Sequence, residues 1–250
     1  MEKIDLQPYL RLAEQLPAKK QQHYTKDEIL TDQFLLANHQ RMQIFFAPHN
    51  LYVETKSQLV VVGICPGWTQ TEQAFHTYRN NLELDMEERL KVCKKESRFA
   101  GGMRKNLVEM LDQLHLNRYF DLDSSAELFD EAANLLHTTS LIKFPVFKAG
   151  KNYPGYGPKI MKNQMLTEFL QTYFVTEMAE FKHPILLLPL GKAVEEVLLT
   201  LQAQGQLCQA TVVCGFPHPS GVNGHRKAQF AQNFVSLRKQ LQNFFYQNQA

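Results

Sequence analysis

Four apolar segments, each bounded by polar or turn-forming residues, predict buried β-strands. They span residues 58–64, 135–144, 184–190 and 210–216. The first, third and fourth are continuous rather than alternating, which is typical of strands covered on both faces. Apolar side chains recur at helical spacing within residues 107–114, 160–174, 193–201 and 230–244. Strands that alternate with helices predict a mainly parallel four-stranded sheet in a three-layer α/β/α sandwich.

The first 50 residues precede the first predicted strand and carry two further apolar stripes at helical spacing. We expect one helix around Leu10 and Ala13 and a second helix over residues 29–46. Because 50 residues alone bury little core, this segment is predicted to be a helical extension (1–50) packed on a single domain that spans residues 1–250. The segment 148–159, rich in Gly, Pro, Lys and Tyr, is the clearest candidate for a flexible loop.

Composition narrows the class of protein less than the strand pattern does. With 44% hydrophobic and 21% charged residues the chain is typical of a globular domain, and a net charge of +2 allows only local basic patches. No stretch has the pattern of a signal peptide or the ~20 apolar residues that cross a bilayer, so we expect a cytoplasmic protein with no membrane partner. The four cysteines and nine histidines lack metal-ligand spacing, which predicts reduced thiols, no metal and no cofactor.

The residues best suited to chemistry follow the predicted strands. The first strand runs into Gly-Ile-Cys-Pro-Gly at residues 63–67, and the second holds Ser140 and, a few residues later, Lys143. The fourth strand is followed by FPHPSGVNGHR at residues 216–226. Ligands of open parallel sheets bind beyond the carboxyl ends of the strands. We therefore expect these segments to meet at one rim.

These segments resemble the sequence motifs of the uracil-DNA glycosylase superfamily. The turn GICPG (63–67) is similar to the family's Gly-x-Asn-Pro-Gly turn, and HPSG (218–221) is similar to its His-Pro-Ser motif. TSLIKFP (139–145) resembles the strand that reads the base edge, and RFAGGMRKNLVEML (98–111) resembles the segment whose phenylalanine stacks on the flipped base. The match covers residues 58–245 in the family's order, so the resemblance implies a single uracil-DNA glycosylase-like domain.

The resemblance implies hydrolysis of the N-glycosidic bond of uracil, or of another damaged or mismatched base, flipped out of DNA in base excision repair. His218 matches the histidine that donates to the leaving base; a loop histidine that caps the following helix is the alternative. Phe99 matches the stacking ring, with a core phenylalanine as the alternative. Ser140 stands where relatives carry an asparagine that reads the base edge, and a buried hydroxyl bonded to backbone is equally consistent.

The turn at 63–67 departs from the family pattern at Cys65, where relatives place Asp or Asn to orient the attacking water. A thiol does this poorly, so we expect Cys65 to contribute its backbone, and Glu72, in the loop after the turn, is a candidate substitute. Gly63 and Ile64 are expected to line the base pocket. Gly67 stands where strict uracil enzymes carry a tyrosine that blocks the 5-methyl group of thymine, which predicts a wider set of accepted bases.

The residues after His218 resemble the loop that enters the DNA minor groove. Val222 and Asn223 are the wedge candidates, and Ser220 belongs to the same DNA-binding loop. Arg226 lies near a helix start, where phosphates bind well. Other cations are predicted to follow the DNA backbone: Lys143, Lys148, Lys151 and Lys159. The implied partner is DNA with a damaged base or its abasic product, and a monomer is the favoured state.

Two other functions stay open. The first is that of a superfamily member that has lost activity and only binds DNA or a protein. The second is that of a hydrolase of a small-molecule N-glycoside such as a free nucleoside. Cys65 and Ser140 favour these alternatives, whereas His218 and the intact HPSG motif favour the DNA enzyme. The segment 69–97 is longer than in compact relatives, and residues 83–95 predict an exposed amphipathic helix that serves as a lid or a partner surface.

Overall fold

The computed structural model describes residues 2–19, 21–99 and 101–248. The chain forms two compact units that alternate along the sequence. Unit 1 comprises Met1–Val53, Ile64–Arg98 and Ser140–Thr176, and unit 2 comprises Glu54–Gly63, Phe99–Thr139 and Glu177–Ala250. The expectation that residues 1–250 behave as one domain stays a prediction.

The helices and strands are labelled in chain order. The helices are α1 (Gln7–Gln15), α2 (Lys26–Ile29), α3 (Trp68–Asn80), α4 (Met86–Ser97), α5 (Gly101–Gln113), α6 (Gln164–Phe169), α7 (Thr176–Met178), α8 (Lys192–Ala203) and α9 (Arg226–Gln247). The strands are β1 (Leu35–His39), β2 (Met42–Phe45), β3 (Leu59–Gly63), β4 (Leu136–Ser140), β5 (Val146–Lys148), β6 (Lys151–Asn152), β7 (Ile185–Pro189) and β8 (Ala210–Val212). A π-helical segment, Leu170–Val175, joins α6 to α7. Among the described residues, none of these helices has the length and apolar character that a membrane span requires.

The sheet predicted from the apolar runs has the order β4-β3-β7-β8. β3 runs parallel to β7, with Leu59 opposite Leu186, and β7 runs parallel to β8. Every residue of β7 and the first four residues of β3 are buried, as expected for strands covered on both faces. The prediction of an α/β fold with a four-stranded, mainly parallel sheet among helices is confirmed.

The core of unit 2 joins this sheet to helices α5 and α9. It contains, among other residues, Leu59 and Val61 of β3, Leu107, Met110 and Leu111 of α5, and Leu237, Leu241 and Phe244 of α9. Burying each of these side chains stabilises the fold by about 1.5–3 kcal/mol. The cluster therefore fixes α5 and α9, which flank the loop that follows β8 in the sequence.

Two strands end earlier than the apolar runs predict. β4 ends at Ser140, because the chain leaves the sheet ahead of Pro145, although Leu141 and Ile142 stay fully buried. β8 ends at Val212. Gly215 follows in the left-handed region with φ of 89°, and its N–H donates to the Glu195 carboxylate at 2.6 Å. Apolar character alone does not distinguish a strand from the buried turn that follows it.

The second N-terminal helix, predicted over residues 29–46, is wrong. A short 3₁₀ turn is followed by the antiparallel hairpin of β1 and β2, in which His39 pairs with Met42. Gln40, in the two-residue connection, has φ of 56°, a conformation that ends a helix. Met42 and Ile44 are buried at alternate positions, so the apolar residues follow the strand period rather than the helical one.

Unit 1 contains a second sheet that the sequence analysis missed. Its order is β1-β2-β5-β6, and all three strand pairs are antiparallel. β5 and β6 form a hairpin whose two connecting residues, Ala149 and Gly150, both have positive φ, as type I′ turns require. The segment 148–159, predicted to be a flexible loop, therefore begins as a hairpin.

The helix predicted in the segment 69–97 is present as α4. Asp85 caps its start by accepting a hydrogen bond from the Glu88 N–H at 3.0 Å. One face is buried within unit 1, where the Arg89 guanidinium donates to the Glu14 carboxylate at 2.7 Å. This face therefore packs inside the unit, and the description of the helix as exposed holds only for its opposite face.

Candidate active site

The GICPG turn lies between the end of β3 and the start of α3, within a single short connection. Gly67 caps α3, and its carbonyl accepts from both the N–H and the hydroxyl of Thr71, at 3.0 and 2.9 Å. The expectation that Glu72 lies in a loop is wrong, because the helix begins at Trp68. The turn is therefore anchored at its carboxyl end by the first turn of a helix.

A wall formed by residues 152–155 lies against the turn inside unit 1. The Asn152 side-chain oxygen accepts from the Trp68 N–H at 3.2 Å, and the Cys65 thiol donates to the Tyr153 carbonyl at 3.6 Å. Gly155 has φ of 90°, and a Cβ atom there would lie 2.6 Å from the Ile64 side chain. Only glycine permits this close approach, so the wall and the turn form one packed structure.

The environment of Cys65 keeps its thiol protonated. Desolvation by burial raises the pKa of Cys65 to about 12. The thiolate, not the thiol, is the nucleophilic form. At neutral pH the side chain is therefore neither a nucleophile nor an anion that attracts a cationic sugar, and all four cysteines of the chain are free.

Ser140 and the residues after it lie beside the turn. The Ile142 N–H donates to the Ile64 carbonyl at 2.9 Å, which ties the chain leaving β4 to the chain leaving β3. Ser140 is 8% exposed, and among the described residues its hydroxyl has no hydrogen-bond partner. Lys143 is equally buried, and its carbonyl accepts from the Asn50 side chain at 2.8 Å. A lysine this buried offers little surface to DNA phosphates.

Glu72 is engaged elsewhere in unit 1. Its side chain is buried in α3, and one oxygen accepts from the Tyr24 N–H at 3.0 Å. The other oxygen lies 2.8 Å from Nδ1 of His23. These contacts bind the N-terminal segment to α3 and favour a structural role for the carboxylate.

His218 lies in unit 2, in the loop after β8. Its Nδ1 accepts a hydrogen bond from the Ser220 N–H at 3.1 Å. A neutral imidazole that accepts at Nδ1 carries its proton on Nε2, and among the described residues Nε2 has no hydrogen-bond partner. Desolvation by burial lowers the pKa of His218, so the ring is neutral at pH 7. Gly191 makes room for this histidine, because a Cβ there would lie 3.1 Å from the Cβ of His218.

The loop that carries His218 is braced by hydrogen bonds to its own backbone. The Asn106 side chain of α5 donates to the Pro219 carbonyl at 2.8 Å. The Arg226 guanidinium donates to the Ser220 carbonyl at 3.0 Å and to the Asn106 side-chain oxygen at 3.1 Å. Arg226, predicted to hold phosphate, therefore directs its guanidinium into the loop that it stabilises.

Val222 forms the tip of this loop and is 96% exposed. Its N–H donates to the Ser220 hydroxyl at 3.2 Å, and the Asn223 side chain donates to the His218 carbonyl at 3.2 Å. An apolar side chain that protrudes from a braced loop has the form of a wedge between bases.

Phe99 lies at the start of the segment that leads into α5. It is 8% exposed and belongs to the core cluster of unit 2. Its carbonyl accepts from the Arg104 side chain. The next residue, at position 100, lies outside the described residues. These contacts favour the core alternative for Phe99.

Asn152 and Asn106 are the residues that the sequence analysis missed. Both hold backbone groups of the predicted motifs, one at Trp68 and the other at Pro219. Asn106 lies in the segment 98–111, but the resemblance assigns a role there only to Phe99, and Asn152 lies in none of the motifs. Both contacts depend on an element that comes from a distant part of the chain. Among the described residues, no three His, Cys, Asp or Glu side chains are grouped so as to hold a metal ion.

No family model matches the chain. The uncharacterised protein YoxB of Bacillus subtilis (strain 168) is 40% identical over 222 residues, which are 88% of this chain and 87% of YoxB. Among solved structures, the crystal structure of wild-type SMUG2 of Pedobacter heparinus is similar with a TM-score of 0.48 and 13% identity, and the alignment covers 94% of this chain and 97% of that one.

Proposed function

This chain belongs to the family of the Bacillus subtilis protein YoxB, and we propose that it is a DNA glycosylase. Its reaction is hydrolysis of the N-glycosidic bond of uracil, or of another damaged or mismatched base, flipped out of DNA. The observation that carries the proposal is the state of His218, whose Nδ1 accepts a backbone hydrogen bond and whose Nε2 is left as a donor.

A neutral Nε2–H donor suits this reaction. Cleavage of the bond leaves negative charge on the departing base, and a preorganised donor stabilises that charge more in the transition state than in the ground state. Desolvation and the Ser220 N–H directed at Nδ1 both oppose protonation of the ring. His218 therefore keeps one fixed donor and carries no charge of its own into the desolvated surroundings.

The bracing of the loop supports the same proposal. A catalytic donor must be held in place before the reaction, because reorientation would consume the free energy that it supplies. Asn106 and Arg226 fix the two residues that follow His218. In the proposal, Val222 at the loop tip enters the base stack and occupies the space that the flipped base leaves.

Recognition of the base is proposed to involve the GICPG turn and Ser140. The Ser140 hydroxyl, without a protein partner among the described residues, is available to one polar atom of a base. A single hydroxyl does not read two atoms at a fixed spacing, as an asparagine amide does. The proposed substrate range is therefore wider than uracil alone.

A second candidate function is a DNA-binding protein without glycosylase activity. It is favoured by Cys65, because a protonated thiol stands at the position where the uracil-DNA glycosylase superfamily, which the motifs resemble, carries an Asp or Asn that orients the attacking water. Glu72 is already held by Tyr24 and His23. Under this alternative the loop with Val222 at its tip binds DNA, and no glycosidic bond is broken.

An excision assay separates the two candidates. The protein, in excess, is incubated with single-stranded and double-stranded oligonucleotides that contain uracil, hypoxanthine, xanthine or thymine opposite guanine. We expect alkali-labile abasic sites in at least one substrate, in a yield that rises with time. Binding to these oligonucleotides without abasic product in any of them would support the binding protein and contradict the proposal.

A further inference from the structure

A second concave site lies entirely within unit 1 and belongs to none of the motifs described above. It is a cavity of about 930 Å³ between the β1–β2 hairpin, the end of β5 and the start of α6. This volume lies in the range of small-molecule sites. Its cationic lining residues are Arg41, Lys148 and Lys162, with His39 beside them.

The charges in this cavity are unbalanced. Arg41, Lys148 and Lys162 take part in no ion pair within the described part of the chain. Among the described residues that line the cavity, the one carboxylate is that of Glu168, which already accepts from the Gln164 side chain at 2.9 Å. Permanent cations gathered in a cleft with low-dielectric walls create a positive potential that attracts anions.

The three cations come from separate elements, and the backbone sets their positions. The Arg41 carbonyl accepts from the Ala149 N–H at 3.0 Å, which joins the two hairpins of unit 1. Lys148 is opposite Met42 in the ladder of β2 and β5, and its ammonium donates to the Gly157 carbonyl. Lys162 ends the 3₁₀ turn that precedes α6. Three cations that separate elements bring to one cavity are typical of an anion site rather than of a uniformly charged surface.

The lining also indicates the kind of anion. Asn38, Asn163 and Gln164 add amide groups, which donate hydrogen bonds to oxygen. Among the described lining residues the one phenyl, phenol or indole ring is that of Phe169, which is fully buried, so this ring offers no face on which a base can stack. We propose that this cavity binds phosphate esters, with the phosphodiester backbone of nucleic acid as the principal ligand.

The proposal does not depend on base excision, because a phosphate site acts equally on undamaged DNA. Phosphate contacts position a protein on DNA without reading sequence. In a DNA enzyme such a site adds affinity for any DNA, and the damaged base is then recognised elsewhere. The test therefore uses an undamaged 20-base-pair duplex, so that its outcome is separate from that of the excision assay.

The experiment compares Arg41→Gln/Lys162→Gln with the control Lys56→Gln/Lys239→Gln. Both variants remove two exposed cations, but Lys56 and Lys239 do not line the cavity. Fluorescence anisotropy measures the Kd for the labelled duplex from 50 to 300 mM NaCl, and thermal unfolding verifies that both variants fold. Each phosphate contact contributes about 0.9 to the slope of log K against log[salt]. We expect the cavity variant to lower that slope by about 1–2 and to weaken binding about tenfold or more near 0.1 M salt, while the control stays near wild type.

Two further arms make the result specific. Glu168→Gln removes the negative charge that the described lining residues contribute, so it should tighten duplex binding. Competition with adenosine monophosphate distinguishes the source of the phosphate. Displacement of the duplex at millimolar nucleotide supports a site for phosphate esters in general. Duplex binding that resists the nucleotide supports a site for the phosphodiester backbone of nucleic acid. Equal Kd values and equal salt slopes for the cavity variant and the control would overturn the proposal.

Discussion

The side-chain amide nitrogen of Asn152 lies 3.5 Å from the position that a Cβ atom would take on Gly67. The other end of the same amide accepts from the Trp68 N–H at 3.2 Å, which fixes its orientation. The space beside Gly67 is therefore bordered by a hydrogen-bond donor. An amide N–H favours a base with a keto oxygen over one with an amino group at the facing atom.

This geometry predicts the effect of side chains at position 67. Gly67→Ala should be tolerated, because its Cβ would make an ordinary van der Waals contact and Gly67 has a φ of −85°. Gly67→Tyr should fill the space and selectively reduce excision of thymine and other large or 5-substituted bases, by roughly 10- to 200-fold as for one methyl group in a tight pocket. Single-turnover rates on substrates of one sequence context measure the ratio. A strong native preference for uracil that Gly67→Tyr leaves unaltered would place discrimination elsewhere.

The close approach of Gly155 to Ile64 predicts a loss of stability. Gly155→Ala puts a Cβ 2.6 Å from the Ile64 side chain in a left-handed conformation, and strain of this kind costs about 1–3 kcal/mol. Urea denaturation measures the free energy of unfolding. Gly102→Ala is the matched control: it lies in the first turn of α5, has no positive φ, and its added Cβ would meet no atom within 4 Å beyond its own helix, so it should be neutral or stabilise by up to about 1 kcal/mol. Two substitutions of equal effect would contradict the packing of the wall on the turn.

The raised pKa of Cys65 predicts an unreactive thiol. At pH 7.5 a thiol-specific reagent should modify the exposed Cys208 first and leave Cys65 unmodified until the protein unfolds. Cys65→Ala should therefore change the excision rate only mildly. Mass spectrometry of the labelled peptides follows the order of modification. Rapid labelling of Cys65, or a collapse of activity in the alanine variant, would show that its sulfur takes part in the chemistry.

The lowered pKa of His218 predicts the direction of two pH effects. Because the folded protein holds the proton less tightly than the unfolded chain, the folded state binds fewer protons below pH 6.5, and His218 destabilises the fold progressively as the pH falls below that value. The excision rate should stay level from pH 8 to 7, since a pKa lowered from 6.5 leaves the ring mainly neutral over that range. Unfolding free energies of wild type and His218→Gln between pH 5 and 8 isolate the contribution of His218 to stability. A wild type that gains stability relative to the variant on acidification would contradict the lowered pKa.

The parallel sheet was predictable because its strands are buried on both faces and leave continuous apolar runs, as in Leu186, Leu187 and Leu188. The antiparallel sheet of unit 1 was not, because β1 and β2 are short and Phe34, Met42 and Phe45 have a helical spacing, whereas only Met42 and Ile44 show the alternation of a strand. The left-handed turn residue that decides between them, Gln40, is not a glycine and gives no signal in the sequence.

The candidate site likewise contains residues whose place the sequence predicts and residues whose contacts it does not predict. The place of His218 in the loop after β8 was predictable from the order of the motifs along the chain, and its role in catalysis stays a prediction. Asn106 and Asn152 were not predictable, since each acts on a partner 84 or more residues away. The structural roles of Glu72 and Arg226 depend likewise on contacts with Tyr24 and Asn106, which only the folded chain brings within hydrogen-bond distance.

The most direct test of the proposed function is the single-turnover excision rate of His218→Ala beside that of His225→Ala. His225 is an exposed histidine of the same loop and serves as the matched control. Loss of one donor to a developing anion lowers a rate by roughly 10²- to 10³-fold, so we expect that loss for His218→Ala, a rate near wild type for His225→Ala, and unchanged binding to abasic DNA for both. An unchanged rate in His218→Ala would contradict the assignment of His218 as the donor to the leaving base.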